Sequence, residues 1–162
     1  RYYMPLAIFA CFGLPTLVGW AFGSPWGGLL WGGLVRLVIV HHSTFLVNSL
    51  AHTLGRRPYT LDNSARDSLV TALLTFGEGY HNYHHRFAAD YRNGVRAYQY
   101  DPTKWMIRTL AALGLTWNLR RVPRERIIAA RVQTEKQRLL ARLPEAHGQF
   151  VNALRARFAE LA

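Results

Sequence analysis

The sequence predicts an all-α membrane protein, a two-span transmembrane helical hairpin followed by a cytosolic helical cap. Three observations carry that expectation. From Tyr2 to Val35 there are thirty-four consecutive uncharged residues, well beyond the roughly 20 that an apolar helix needs to cross a bilayer. The +11 net charge of the 162-residue chain is unevenly placed: residues 1–50 hold no Asp or Glu and only Arg1 and Arg36 as bases, so +9 falls in residues 51–162. Six of the seven histidines lie between positions 41 and 85, three of them within five residues. This composition argues against a wholly soluble fold and excludes disorder for the first third. Cys11 is the only cysteine, which excludes an internal disulfide and a Cys-based zinc site.

The first region, residues 1–52, divides at the turn formers Gly23-Ser24-Pro25-Trp26-Gly27-Gly28. Tyr2–Phe22 and Leu29–Leu50 each span roughly 30 Å as helices, the thickness of a hydrocarbon core. Pro5 and Pro15 are tolerated more readily in membrane helices than in soluble ones. So short a turn makes the spans antiparallel. Their outer ends carry Arg1 and Arg56-Arg57 while the turn is uncharged, so the positive-inside rule puts the outer ends and all that follows His52 in the cytoplasm. The competing reading is a buried helical hairpin of a soluble protein. Arg36 sits inside the second span with no acid at its depth, which predicts a partner outside the chain. The chain enters apolar sequence at once from Arg1, without a basic n-region and cleavage site, and reads as a piece of a longer protein.

In the second region, residues 53–118, a helix is expected from about Ser64 into Phe76. Gly77-Glu78-Gly79 interrupts it and a second helix carries Tyr80–Arg86. Residues 88–103 read as loop, and Asp101 caps a helix from Pro102 to about Leu113. The third region, residues 119–162, is a basic amphipathic tail. Pro123 opens a helix with Ile128, Val132, Leu139 and Leu143 on one apolar face, ended by Pro144. A last helix has Phe150, Val151, Leu154, Phe158 and Leu161 on its face. The tail holds ten basic and four acidic residues. It reads either as a solvated polar face or as a surface touching anionic lipid headgroups.

The histidines carry the chemistry. His81-Asn82-Tyr83-His84-His85 places imidazoles at i, i+3 and i+4, on one face of a helix, and neutral imidazole is a common ligand of iron, copper and zinc. Asn48 and His52 are spaced i, i+4 and stack on the second span. His41 projects in nearly the same direction but about 16 Å deeper, too far to share a metal with His52. His41 and His42 read as satisfied polar groups or cavity lining. There is no His-Glu-x-x-His for a zinc protease, no nucleophile elbow and no phosphate-binding glycine loop. Glu78-Gly-Tyr-His81 matches one element of carboxylate-bridged di-iron bundles, but a second copy is missing. The basic tail lacks the aromatic pattern of a nucleic-acid binder, and no nucleic-acid partner is expected.

Asn48-Ser-Leu-Ala-His52 followed by Gly55, and Gly77-Glu78-Gly79-Tyr80-His81-Asn82-Tyr83-His84-His85, together resemble the membrane fatty acyl desaturases of the acyl-CoA/acyl-lipid Δ9 type, the second segment matching their third histidine box. Thr44, Asp90-Tyr91-Arg92-Asn93-Gly94 and Asp101-Pro102-Thr103-Lys104-Trp105 agree, and the resemblance covers roughly residues 1–118. It implies the C-terminal half of a four-span fold whose cytosolic cap holds two iron ions among histidines. His52, His81, His84 and His85 match iron-ligand positions and Asn48 one that holds iron through a water. Thr44 and Phe45 match the tunnel for the acyl chain, where relatives usually carry Trp in place of Phe45. No catalytic residue is implied beyond the metal centre, and Glu78 orients a ligand or supports its turn.

The resemblance further implies an O2-dependent oxidoreductase that introduces a cis double bond into a long-chain acyl-CoA or acyl-lipid. It would sit in the lipid bilayer and take electrons from an external ferredoxin or cytochrome b5-like donor. Four histidines cannot hold two irons in the family's manner, so the chain alone is expected to be inactive, its remaining ligands lying upstream. Arg- and Ala-rich composition suggests a bacterial cytoplasmic membrane, with the C-terminus cytoplasmic. Two alternatives remain open: a hydroxylase or other lipid oxidase on the same scaffold, and a non-enzymatic membrane-anchored metal-binding or interaction module.

Overall fold

The structure, a computed structural model, describes residues 2–142 and 148–160. Among them it is all-helical, with seven helical stretches: α1 (Tyr3–Ala21), α2 (Pro25–Thr53), α3 (Leu69–Leu74), α4 (His81–Arg86), α5 (Pro102–Ala112), α6 (Arg124–Arg142) and α7 (Gly148–Glu160). Arg1, Leu143, Pro144 and Leu161, which the sequence expectations used for sidedness, a helix end and an apolar face, lie outside the described residues. The chain forms two compact units, Arg1–Leu46 and Val47–Ala162.

In the first unit, α1 and the start of α2 fold back on each other across Phe22–Ser24. Both helices are long and apolar enough to cross a membrane. The second begins earlier than expected. Pro25 does not belong to the turn but opens the helix, because a first-turn residue has no intrahelical use for its N–H and proline's fixed φ suits that position. The helix also runs three residues past Leu50, to Thr53. Pro15 sits mid-helix, where its ring would press on the carbonyl four residues back. The backbone widens into a π-helical stretch over Phe9–Gly13, just before it.

Close approach of the two helices depends on small residues. A Cβ on Gly28 would fall 2.2 Å from the Pro15 carbonyl oxygen, and one turn on, a Cβ on Gly32 would fall 2.8 Å from the Pro15 side chain. This Gly-x-x-x-Gly spacing lets backbones meet where a membrane interior offers no hydrophobic drive between helices. Arg36 continues the same stripe and finds backbone acceptors within the chain. Its Nε donates to Gly32 O at 2.7 Å and its Nη2 to Cys11 O at 3.4 Å. Pro15 cannot supply the α-helical donor to that Cys11 carbonyl, which leaves it open to the guanidinium.

In the second unit the core is small and unusually polar. Ala51, Ala65, Ala72, Tyr80 and Tyr83 are buried beside Thr60, Thr71, Asn82, Asp90, Asp101 and Lys104. The helix expected from Ser64 starts instead at Leu69, capped by Ser68, whose Oγ accepts from Thr71 N. Residues 66–68 are extended and pair on both sides. Arg56 and Asp67 exchange backbone hydrogen bonds of 3.0 and 2.6 Å, Ser68 N donates to Gly79 O at 2.9 Å, and His81 N donates to Arg66 O at 3.3 Å. Gly79 allows this packing, since a Cβ there would lie 2.0 Å from Ala72 N.

The motif after the histidine box is a set of clamps. Asp101 caps α5 by accepting from Lys104 N, and its other oxygen accepts from Asn93 N and Gly94 N. Buried Lys104 donates to the carbonyls of Gly94, Arg96 and Gln99, which closes the 94–99 loop without an acid; burial holds its pKa below the ordinary lysine range. In α6 the buried residues are Ile127, Ala130 and Thr134, while Ile128, Val132 and Leu139 of the apolar face remain exposed. On α7, Val151 is buried and Phe150 exposed.

Candidate metal centre

Two elements bring imidazoles together. His52 lies in the last turn of α2, and His81, His84 and His85 lie on α4. They are far apart in sequence, but residues 66–68 stitch Arg56, four residues after His52, to residues 79–81. Arg66 N further donates to Ala51 O at 2.8 Å, beside His52. The extended segment therefore aligns the end of α2 with the start of α4.

Within α4 the two central residues of the box face inward and hold the helix. Asn82 is fully buried; its Oδ1 accepts from Tyr59 N at 2.8 Å and Thr60 N at 3.3 Å, and its Nδ2 donates to Thr60 O and Ala65 O at 3.0 Å each. Tyr83 is also fully buried, packs against Tyr59 and Phe87, and donates its hydroxyl to Asp90 at 2.7 Å. Asp90 in turn accepts two guanidinium bonds from Arg92 and one from Val122 N. These hydrogen bonds hold its carboxyl below the usual carboxylate range despite burial. With Asn82 and Tyr83 anchored, the histidines at positions 81 and 85 point the other way.

His52, His81 and His85 converge, one ring nitrogen from each lying within 4.8 Å of the others. The His81 and His85 Nε2 atoms are 3.1 Å apart. Two imidazole nitrogens bound to one ion at about 2.1 Å, at angles of roughly 90–110°, stand about 3.0–3.4 Å apart, so this spacing fits ligands of a shared ion. His52 Nδ1 lies 2.9 Å from Ser64 Oγ, which leaves Nε2 for a metal, the usual division of labour in a metal-binding imidazole. Burial, then the neighbouring rings of His85, His52 and His84, pulls the His81 pKa down to about 4. Burial first, then His52 and His84, lowers that of His85 as well. Both rings are neutral near pH 7, the form that binds metals. His81 Nδ1 is buried without a partner among the described residues, so backbone and packing set that ring's position. The donor set suits a first-row transition metal such as iron.

Of the residues expected at the site, His84 is near but does not converge: its ring stacks on His81 at 5.8 Å between centroids. Asn48 is exposed, one helical turn before His52. Thr44 and Phe45 are exposed residues of α2 in the first unit. His41 and His42 each place Nδ1 at 2.8–2.9 Å from the carbonyl four residues back, so they are satisfied polar groups. Glu78 is half-buried, and burial pushes its carboxyl up while His84 and a hydrogen bond from Asn93 oppose the shift. Ser64, Asn82 and Asp67 carry roles not assigned to them from sequence. Asp67 accepts from Tyr83 N at 3.1 Å, and burial raises its pKa to about 7. The one signal for Asn82 was its place between ligand-spaced histidines; Ser64 had none, since its contact with His52 is tertiary.

Known proteins are similar over the region that holds these residues. A family model for fatty acid desaturases matches residues 1–121. The chain is 49% identical to the probable acyl-CoA desaturase of Schizosaccharomyces pombe over 143 residues, which cover 88% of this chain and 30% of that protein. It is 41% identical to acyl-CoA desaturase 1 of Saccharomyces cerevisiae, covering 86% of this chain and 28% of that protein. It is 39% identical to human stearoyl-CoA desaturase, covering 80% of this chain and 36% of that protein. The chain thus spans about a third of the length of these curated relatives. These relatives are fungal and mammalian and give a bacterial origin no support.

Proposed function

The chain belongs to the fatty acid desaturase family, and from that premise we propose that the protein containing these residues is a membrane di-iron fatty acyl desaturase. It introduces a cis double bond into a long acyl chain, using O2 and two electrons from an external donor of the ferredoxin or cytochrome b5 kind. The names of the relatives make acyl-CoA the first substrate to test. The observation that carries the reading is the convergence of three imidazole nitrogens within 4.8 Å, inside the region that matches the family.

When bound, iron supplies the oxygen chemistry that removes two hydrogens from an unactivated carbon pair. His52, His81 and His85 hold one ion, and Ser64 keeps the His52 ring in the tautomer that offers Nε2. His84 and, through a water, Asn48 contribute to the pair. Its remaining ligands lie in parts of the protein outside these residues. Asn82 and Tyr83 fix α4 so that the imidazoles need not reorganise on binding. Thr44 and Phe45 contact the acyl chain, and the fit of that chain decides which carbons react. The two apolar helices span the bilayer as a hairpin, with the cap and C-terminus on the cytoplasmic side.

Product analysis of the protein with its upstream sequence, supplied with long-chain acyl-CoA, O2 and a donor, tests this. The expected product is an alkene without alcohol, lost on His81→Ala, while residues 1–162 alone are inactive. An alcohol as the main product overturns the desaturase reading in favour of a hydroxylase on the same scaffold. Tight, complete metal binding by residues 1–162 alone overturns it in favour of a metal-binding module.

A further inference from the structure

The cap carries a second concentration of chemistry that the metal centre does not use. An open cavity of about 450 Å³ is lined by Arg92, Arg96, Arg121, Arg124, Arg131 and Tyr59, four of the arginines (all but Arg92) being exposed, and no carboxylate is among its lining residues. Of the five arginines, Arg92 alone forms an ion pair among the described residues, with Asp90 at 2.7 Å. Two of the others are held in place without being neutralised. Arg121 donates to the Tyr91 hydroxyl at 2.9 Å and lies 5.4 Å from its ring, and Arg96 donates to the Tyr98 hydroxyl and lies 5.7 Å from that ring. Both guanidinia stay exposed and keep N–H donors open to an anion.

Glu125, in the first turn of α6 beside Arg124, lines the neighbouring cavity and not this one. Arg124 opens the nineteen-residue helix α6, and Arg121 stands three residues ahead of it. The N-terminus of a helix already carries the positive end of the dipole, so bases gathered there are disfavoured. An anion in the cavity reverses the sign of that interaction. Planar guanidinium forks match the oxygens of phosphate in bidentate fashion, and the volume falls within the range of ligand pockets. Ile128 lines this cavity and also a neighbouring one of about 1180 Å³ with Val132 and Leu139, so apolar surface continues from the basic cavity.

We infer that this arginine cavity is a binding site for a phosphate-bearing anion, separate from the imidazole cluster. The phosphate comes either from an anionic phospholipid headgroup or from a soluble polyphosphate. The site does not depend on bound iron or on the proposed reaction.

Calorimetric titration of the full chain in uncharged detergent micelles tests it, with inorganic pyrophosphate in one arm and short-chain phosphatidic acid in the other. Binding in the first arm alone assigns a soluble polyphosphate. Binding in the second alone assigns a headgroup, and binding in both assigns the shared phosphate chemistry. The double variant Arg124→Gln/Arg131→Gln is expected to weaken binding about tenfold or more, and Arg124→Lys/Arg131→Lys by less, since charge is kept and the forks are lost. Arg56→Gln/Arg108→Gln removes the same net charge from exposed positions outside the cavity and is expected to leave binding unchanged. The inference is overturned if the wild-type chain binds neither probe, or if the Arg56/Arg108 control weakens binding as much as the cavity variant. Superimposable far-UV circular dichroism melts show that the variants compared are folded.

Discussion

Replacing Asn82 by Leu keeps the side chain's size and removes all four of its hydrogen bonds. Oδ1 no longer accepts from Tyr59 N and Thr60 N, and Nδ2 no longer donates to Thr60 O and Ala65 O. Asn82 is 0% exposed, so water cannot replace the lost partners without opening the loop. A net contribution of roughly 0.5–1.5 kcal/mol per bond puts the loss at about 2–6 kcal/mol, and the 3.3 Å bond from Thr60 N argues for the lower half. Loop 59–65 is the part released, and it carries Ser64, so His52 loses its Nδ1 partner as well. Hydrogen exchange read by mass spectrometry is the direct assay. Amides of residues 59–60 should exchange faster in proportion to the lost stability, while α5, which has no bond to Asn82, keeps its protection apart from any global loss. Denaturant titration in micelles supplies the total. Unchanged protection at residues 59–60 with a stability loss under about 1 kcal/mol would refute the claim that Asn82 anchors the histidine helix to this loop.

Asp67→Asn tests a pH effect. The carboxyl's folded pKa, about 7, lies above the ordinary 3.8 because of burial. The folded state therefore holds its proton more tightly, and Asp67 costs stability above pH 7, a cost relieved as pH falls toward 4. Asn keeps the acceptor for Tyr83 N, so the variant should exceed the wild type by up to about 4 kcal/mol at pH 8 and by little near pH 4. Comparing the two also cancels the opposite contribution of His81, which both proteins share. A difference independent of pH would contradict the assignment. Ser64→Ala should weaken metal binding by about ten- to a hundredfold and Ser64→Thr much less, as read by titration with cobalt(II); equal affinities for all three would remove Ser64 from the site. Gly79→Ala should cost about 2–3 kcal/mol in denaturant titration, because its Cβ would fall 2.0 Å from the backbone nitrogen of Ala72 rather than against a movable side chain.

What could be read from sequence was what local patterns encode. The uncharged run marked both long helices, and the i, i+4 spacing of His81 and His85 placed their rings on one side of α4. Asp101 capped α5 where its sequence signature said it would. The misplacements share one cause, which is tertiary pairing. Residues 64–68 have the composition of a helix start, yet no helix forms there, and 66–68 are extended because Arg56 and Gly79 offer backbone partners on both sides. In α6 the apolar face marked by Ile128 and Val132 stays exposed, and the contacting face is built from Ile127, Ala130 and Thr134, two of which are small enough for close approach. Arg36 had no acid at its depth, and it donates to the Gly32 carbonyl one turn back and to the Cys11 carbonyl that Pro15 leaves available. Ser64 was invisible because twelve residues and a change of direction separate it from His52.

The central claim is that His52, His81 and His85 share a metal ion. X-ray absorption at the iron edge, on the full chain loaded with iron(II), tests it most directly. The account predicts the multiple-scattering pattern of imidazole with about three nitrogen ligands at roughly 2.0–2.2 Å. The imidazole contribution should fall by about one ligand, or the iron itself be released, in each of His52→Ala, His81→Ala and His85→Ala, and stay unchanged in the His41→Ala/His42→Ala variant. A spectrum without imidazole scattering, or one unchanged when His81 is removed, would contradict it.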